Sequence, residues 1–540
     1  MTLNKINYFL HLIILILFFS CDRIDENDQI IFELLSAEKT RIDFENTLTY
    51  SDEFNIYKYR NFYNGGGVGL GDVNNDGLLD IYLTANQLSN RLYINKGNFV
   101  FEDVTIKAKI GGNRAWSTGV AMVDINSDGW LDIYVCNSGD VNGDNKQNEF
   151  FINNRDGTFS EKAEQMGLAD SGYSTHASFF DYDKDGDLDV YLLNNSYTAI
   201  GSFNLQKNER GIRDKKGGDK LFRNDAGRFI DVSDEAGIFG SEIGFGLGVS
   251  VADLDKDGWL DLYISNDFFE RDYIYMNNGD GTFSEDLENQ MKSISFASMG
   301  SDIADMTGDG YPEIFVTEML PKNEERYKTT MTFENWDKYQ YNFKNGYYHQ
   351  FTRNMLHRNN GISFGNKLTF SEVGRLAGVE ATDWSWSALI TDFDNNGHKD
   401  LFIANGLAQD ILDQDYLNYI SNEEIIKMVI TERGVDYKKL IDIIPVTKIS
   451  NYAYSGDSNL RFKDVTDYWG LDTPSHSNGS AYGDLDNDGD LDLIVNNVNM
   501  PTFLYKNRST ELLKENNYLK VKLNGEKNNV NAVGAKVTIK

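Results

Sequence analysis

Residues 72–80, Asp72-Val73-Asn74-Asn75-Asp76-Gly77-Leu78-Leu79-Asp80, crowd four oxygen-bearing side chains (72, 74, 76 and 80) into nine positions. Such groups repel one another and belong poorly in a folded core unless something compensates them. The pattern returns six more times, as DINSDGWLD from Asp124, DYDKDGDLD from Asp181, DLDKDGWLD from Asp253, DMTGDGYPE from Asp305, DFDNNGHKD from Asp392 and DLDNDGDLD from Asp484. The repeating unit is about fifty residues long, and the longer intervals hold insertions.

Hard cations such as Ca²⁺ take oxygen ligands, and one way to gather them is a loop with ligands at positions 1, 3, 5 and 7 and a Gly turn at 6. Every copy has that Gly, from Gly77 to Gly489. An EF-hand would then need Glu at position 12, where Leu83, Val135, Leu192, Ile264, Val316, Ile403 and Val495 stand instead. An acid at position 9 closes each set early. The candidate metal ligands are Asp72, Asn74, Asp76 and Asp80; Asp124, Asn126, Asp128 and Asp132; Asp181, Asp183, Asp185 and Asp189; Asp253, Asp255, Asp257 and Asp261; Asp305, Thr307, Asp309 and Glu313; Asp392, Asp394, Asn396 and Asp400; and Asp484, Asp486, Asp488 and Asp492. Loops with four acids, from Asp181, Asp253 and Asp484, are expected to bind best. Those from Asp305 and Asp392 rank last, because Thr307 and Asn396 replace acids.

A strand follows each loop ("DIYLTAN", "DIYVCN", "DVYLLN") and a narrow strand of small and apolar residues precedes it ("GGGVGLGDV", "STGVAMVDI"). Two further strands joined by Asn/Gly turns follow in several copies, as in "RLYINKGNFVFEDV". Four strands in about fifty residues is the size of a propeller blade, so the expected fold is all-β, a seven-bladed β-propeller with a Ca²⁺-binding loop in each blade. The loop and its flanking strands, over about residues 55–505, resemble the FG-GAP or VCBS repeat family, whose blades share the integrin α-subunit propeller design. "NNYLKVKLNGEKNNVNAVGAKVTIK", 516–540, resembles the opening of the ASPIC/UnbV domain that follows such propellers in cartilage acidic proteins; two amphipathic strands are expected there, with the chain continuing beyond.

The organisation expected is a signal over 1–20, a linker or first strand over 21–54, the propeller over 55–508 and the partial C-terminal domain over 509–540. Lys5 precedes an apolar run from Ile6 to Phe19, and Ser20-Cys21 ends it, as in a bacterial lipoprotein with lipid on Cys21; Phe18 departs from the usual Leu. An uncleaved membrane anchor is the alternative. The expected location is the outer membrane or cell surface. With Cys21 so used, Cys136 remains single and reads as a core residue.

A formal net charge of -33 argues against nucleic acid as a partner. Bound Ca²⁺ would offset part of it, and a recurrent loop that draws its ligands from one segment suits a structural ion. Three insertions interrupt the blades: a basic one at 195–220, an aromatic-rich one at 317–357 with Phe333, Trp336, Tyr339, Tyr341, Phe343, Tyr347, Tyr348 and Phe351, and one at 405–450. In the third, Ile411, Leu412, Leu417, Ile420, Ile425, Ile426, Val429 and Ile430 recur at helical spacing and predict a helical hairpin. The six His are scattered, and neither a nucleophile elbow nor a phosphate-binding Gly motif is present, so no catalytic residue is assigned. The function expected is a binding, adhesion or scaffold module for glycan or protein ligands at the envelope; the alternative is a propeller enzyme acting on polysaccharide or a small metabolite at the axial mouth.

Overall fold

The computed structural model describes residues 30–113, 116–139, 147–197, 208–332, 335–363, 367–422, 430–431, 434–526 and 528–538. Cys21 and the apolar run before it lie outside the described residues, as do Phe333, Ile425, Ile426 and Val429. Seven four-stranded antiparallel sheets succeed one another along the chain. In the first, Val68–Gly71, Asp80–Leu83, Arg91–Asn95 and Phe101–Asp103 pair in order. The residue before each loop faces position 9 across the hairpin, as in Gly71↔Asp80, Phe180↔Asp189 and Gly483↔Asp492. Position 9 therefore begins the second strand and is buried in every blade.

Hydrophobic packing lies between blades. The second strands alternate their apolar side chains between two neighbours: Tyr134 and Cys136 point toward blade 3, whereas Ile133 and Val135 join Tyr82 and Leu92 of blade 1. Seven such interfaces follow the ring, and the seventh joins Leu485, Ile494 and Leu504 to Ile81, Leu83 and Tyr93. Inner strands are narrow because they crowd at the axis; a Cβ on Gly67 would meet Thr118 O of the next blade at 3.0 Å.

The ring extends further toward the N-terminus than 55–508. The last blade takes its outer strand from Phe32–Leu34, which pairs with Phe503–Asn507. Phe32 is 1% exposed and packs edge-on against Phe393 at 5.7 Å. Residues 48–63 then cross the ends of the blades opposite the loops, where Leu48, Phe54, Phe62 and Tyr63 cluster with Trp116 and Val498.

All three insertions follow second strands and so emerge on that same face, away from the acidic loops. The 317–357 insertion forms helices Glu324–Thr330 and Trp336–Lys344, each begun by an Asn whose side chain accepts a backbone N–H. The 405–450 insertion differs from a simple helical hairpin. Its described parts are helices Gln414–Ile420 and Tyr437–Ile441, with a two-stranded ribbon of Ile430–Thr431 and Gly434–Val435. Asp413 and Asp436 accept backbone N–H groups as N-caps and begin these helices, so Ile411 and Leu412 of the expected periodicity precede the first one.

Two strands were expected over 516–540. The described residues there form turns and extended segments but no strand, because no sheet edge meets them, and Leu519 and Val537 stay exposed. Among the described residues no helix is long and apolar enough to cross a membrane.

Candidate metal centres

Each acidic loop is shaped by its own backbone. Position 4 lies in the left-handed region in all seven copies (Asn75, Ser127, Lys184, Lys256, Gly308, Asn395 and Asn487), and so does the Gly at position 6, with φ from 84° to 95°. These two reversals fold the loop around its acids. The N–H of position 7 donates to the position-5 side chain in every blade, as in Leu78 N to Asp76 Oδ1 at 3.0 Å and Trp259 N to Asp257 Oδ1 at 2.8 Å. The N–H of position 2 donates to the position-9 carboxylate, as in Val73 N to Asp80 Oδ2 at 3.0 Å and Leu254 N to Asp261 Oδ2 at 2.9 Å.

The acids are brought together most closely in four loops. Asp181, Asp183 and Asp189; Asp253, Asp255 and Asp261; Asp392, Asp394 and Asp400; and Asp484, Asp486 and Asp488 each place ligand oxygens within 4.8 Å of one another. Asp392 therefore joins the group that the acid count would rank highest. Each of these four sets includes an Asp at position 3, where the loops from Asp72, Asp124 and Asp305 have Asn74, Asn126 and Thr307 and so offer no carboxylate. Asn amides bond neighbouring acids in both kinds of loop, Asn74 Nδ2 donating to Asp76 Oδ2 at 3.0 Å and Asn396 Nδ2 to Asp394 Oδ2 at 3.1 Å.

The donor sets fit a hard cation on a specific observation. Asp181 Oδ1, Asp253 Oδ1, Asp484 Oδ1 and Asp486 Oδ1 are buried and accept no hydrogen bond. In the Asp72, Asp124 and Asp392 loops, by contrast, position 1 receives backbone N–H groups on both oxygens, as in Asp76 N at 3.1 Å and Gly77 N at 2.8 Å for Asp72. A buried anionic oxygen without a donor costs free energy that a positive ion would recover. Burial, aided by neighbouring loop acids, also pushes the position-9 carboxyls up: to about 7 in Asp80 and Asp132, about 8 in Asp189 and Asp261, and about 9 in Asp492. Glu313 is raised to about 7 for the same reason, and Asp400 is raised as well.

The loops also touch their neighbours. Asn75 Nδ2 donates to Gly129 O of the next loop at 2.9 Å, and Asn487 Nδ2 donates to Gly77 O at 2.9 Å, which closes the circle. Lys184 and Lys256 reach the same distance sideways and lie over Trp259 and Tyr311 at 3.8 and 3.5 Å. A second set of Asn side chains, not apparent from the loop motif, ends the third strands. Asn95, Asn153, Asn224, Asn277 and Asn507 each donate a backbone N–H to the position-9 carboxylate. The amides of Asn95, Asn153, Asn277 and Asn507 reach the preceding blade, as from Asn277 to Tyr182 O at 2.8 Å, while that of Asn224 donates to Leu188 O of its own blade at 3.1 Å. These Asn stand 15, 21, 35, 16 and 15 residues after their partners, so no fixed period reveals them.

Other candidate features are absorbed by the fold. In the basic insertion Arg210 pairs with Glu270 at 2.6 Å, Arg213 with Asp234 at 2.6 Å, and Lys220 with Asp170. The aromatic insertion buries Tyr347 but leaves Trp336 69% exposed, stacked on Tyr339. His357 and His476 are buried, and His349 stacks on Phe343. His176 and Asp302 face the axial channel, a cavity of about 550 Å³ lined by all seven inner strands.

Segments 55–135, 137–192 and 253–316 match the FG-GAP-like repeat. The chain is 29% identical to cartilage acidic protein 1 of Xenopus tropicalis over 209 residues, which is 38% of this chain and 29% of that protein. It is 27% identical to cartilage acidic protein 1 of Mus musculus over 202 residues, 37% of this chain and 29% of that one. The match thus spans under a third of these relatives. Among solved structures, the Vibrio cholerae biofilm matrix protein Bap1 aligns over 82% of this chain and 76% of its own, with 12% identity and a TM-score of 0.33. BBS1N, from its complex with ARL6DN, aligns over 82% of this chain and 94% of its own, with 8% identity and a TM-score of 0.39. Fold and sequence matches together make this chain a seven-bladed β-propeller with FG-GAP-like repeats in the three matched segments, similar over part of its length to cartilage acidic protein 1.

Proposed function

We propose that the protein is a calcium-stabilised binding module of the cell envelope, with glycan or protein as its ligand. The observation that carries the calcium assignment is the set of buried, donorless carboxylate oxygens at Asp181, Asp253, Asp484 and Asp486. Oxygen donors of this kind suit Ca²⁺ better than softer metals. The ions would be held by positions 1, 3, 5 and 9 of each loop, with up to seven per chain, and would supply positive charge that pins the hairpins.

Anchoring is proposed through lipid on Cys21, which would leave the ring free at the surface. A propeller with one face of acidic loops and another of insertions offers a broad docking surface, and FG-GAP-like repeats support a binding role. Glycan and protein arrays probed with the chain test this reading. Saturable, selective binding that is weakened by chelator is expected; its absence across both arrays would refute the binding role.

A further inference from the structure

The blade-7 loop carries two lysine counter-charges, where the blade-2 loop has the single Arg155 at 2.7 Å from Asp128 Oδ2. Lys506 Nζ lies 3.2 Å from Asp486 Oδ2, 3.7 Å from Asp488 Oδ2 and 3.0 Å from Glu511 Oε1, on a side chain only 17% exposed. Lys520 Nζ lies 3.2 Å from Asp484 Oδ2 and 2.9 Å from Asn487 Oδ1. Two ammonium groups therefore grip three acids of this loop, while Asp484 Oδ1 and Asp486 Oδ1 remain buried without a donor. The Asp253 loop has equally many acids at the ligand positions, yet its lysine, Lys256, turns away to Asp309 O at 2.7 Å.

Lys520 belongs to a C-terminal segment that lies across the loop-bearing face. Asn516 Nδ2 donates to Asp394 O at 2.7 Å, and Lys536 Nζ donates to Gly310 O at 3.0 Å. The Tyr518 ring packs so tightly on Gly489 that a Cβ there would lie 1.9 Å from Cζ. The segment thus touches the loops of blades 2 to 7, with Ser127 Oγ donating to Asn528 O, Asn528 N donating to Gly186 O at 3.2 Å and Gly534 lying against Leu260, and its contact with blade 7 is made through the carboxylates themselves.

A divalent ion drawn to Asp484, Asp486 and Asp488 would meet both ammonium groups at the same acids. Like charges at that separation repel, so ion and lysines cannot share the loop without cost. We infer that the C-terminal segment and a divalent cation compete for the blade-7 loop, so that filling this one loop expels Lys520 and releases the segment, while the docked segment lowers this loop's affinity. The coupling is reciprocal by linkage. It rests on the proposed calcium occupancy of the loops and assigns one of them a regulatory part.

Hydrogen exchange on the intact chain, followed peptide by peptide as free Ca²⁺ is raised, gives a midpoint for each loop. The 484–492 peptide is expected to become protected at higher Ca²⁺ than the 253–261 peptide. Its midpoint should fall roughly threefold in Lys520→Gln and about tenfold in Lys506→Gln, as expected for an exposed and a buried charge pair. The 253–261 midpoint should stay unchanged, and Lys520→Arg should retain the wild-type value. In the wild-type chain, cleavage after Lys520 by a lysine-specific protease should accelerate over the same Ca²⁺ range that protects 484–492. Equal midpoints for the two loops, or cleavage indifferent to Ca²⁺, overturns the competition while leaving calcium binding intact. Failure of every loop to respond overturns both readings.

Discussion

Single residues decide how each blade handles its buried charge. At the start of the third strand four blades use Asn90, Asn148, Asn354 and Asn451 to accept a backbone N–H, as in Asn137 N to Asn148 Oδ1 at 2.8 Å. Blades 3 and 4 place Asp219 and Asp272 there. Asp272 accepts from Asn266 N at 2.8 Å, Tyr263 OH at 2.6 Å and Ser298 Oγ at 2.8 Å, and burial pushes its carboxyl from 3.8 to about 7. An acid whose folded value exceeds its unfolded one binds more protons when folded, so stability declines as pH climbs from about 4 to about 7. Asp272→Asn should remove that decline, since Asn148 already makes the equivalent bonds, including Nδ2 to Tyr134 OH at 2.9 Å. At pH 8 the variant should be more stable by about 4 kcal/mol, with little difference near pH 4; denaturant titration at both pH values checks this. A wild-type advantage at pH 8 would contradict the assignment.

At the scale of elements, the strand Phe32–Leu34 closes the ring by joining the last blade to the chain's beginning. Phe32→Ala deletes a ring packed between Phe393 and Trp469 at 5.7 and 6.1 Å and should cost about 3–5 kcal/mol. Calorimetry reads this directly, and a loss under 1 kcal/mol would show that closure relies little on this strand. The repeated hairpins were legible in the sequence because loop, Gly turn and flanking strands are contiguous. A first strand was one of two readings of 21–54, but its place and pairing were not legible, since Phe32-Glu33-Leu34 carries no repeat signature and its partner Tyr505 is far along the chain. The first helix of the third insertion was legible as apolar spacing, but its start was set by Asp413, and the second helix, begun by Asp436, lies beyond that spacing. The strands expected over 516–540 failed for lack of a pairing edge, which alternation alone cannot supply.

Across the whole molecule, acidic loops gather on one face and insertions on the other. Chelation should remove counter-charge from every occupied loop at once, and the small stabilisation per site should sum around the ring. A fall in melting temperature on the order of 5–10 °C is expected for the chelated protein. Elemental analysis of the loaded protein should find at least four Ca²⁺ per chain, one for each of the four tight acid clusters. An unchanged melting temperature, or fewer than one ion per chain, would contradict calcium loading.

The sequence by itself determined the number of blades, the acidic loop positions and the exclusion of an EF-hand, because each of these is written within a short contiguous stretch. The tertiary structure alone decided which strand closes the ring, which face carries the insertions and which lysines reach the blade-7 acids. Those outcomes depend on contacts such as Asn487 to Gly77, 410 residues apart, whose geometry no local pattern encodes.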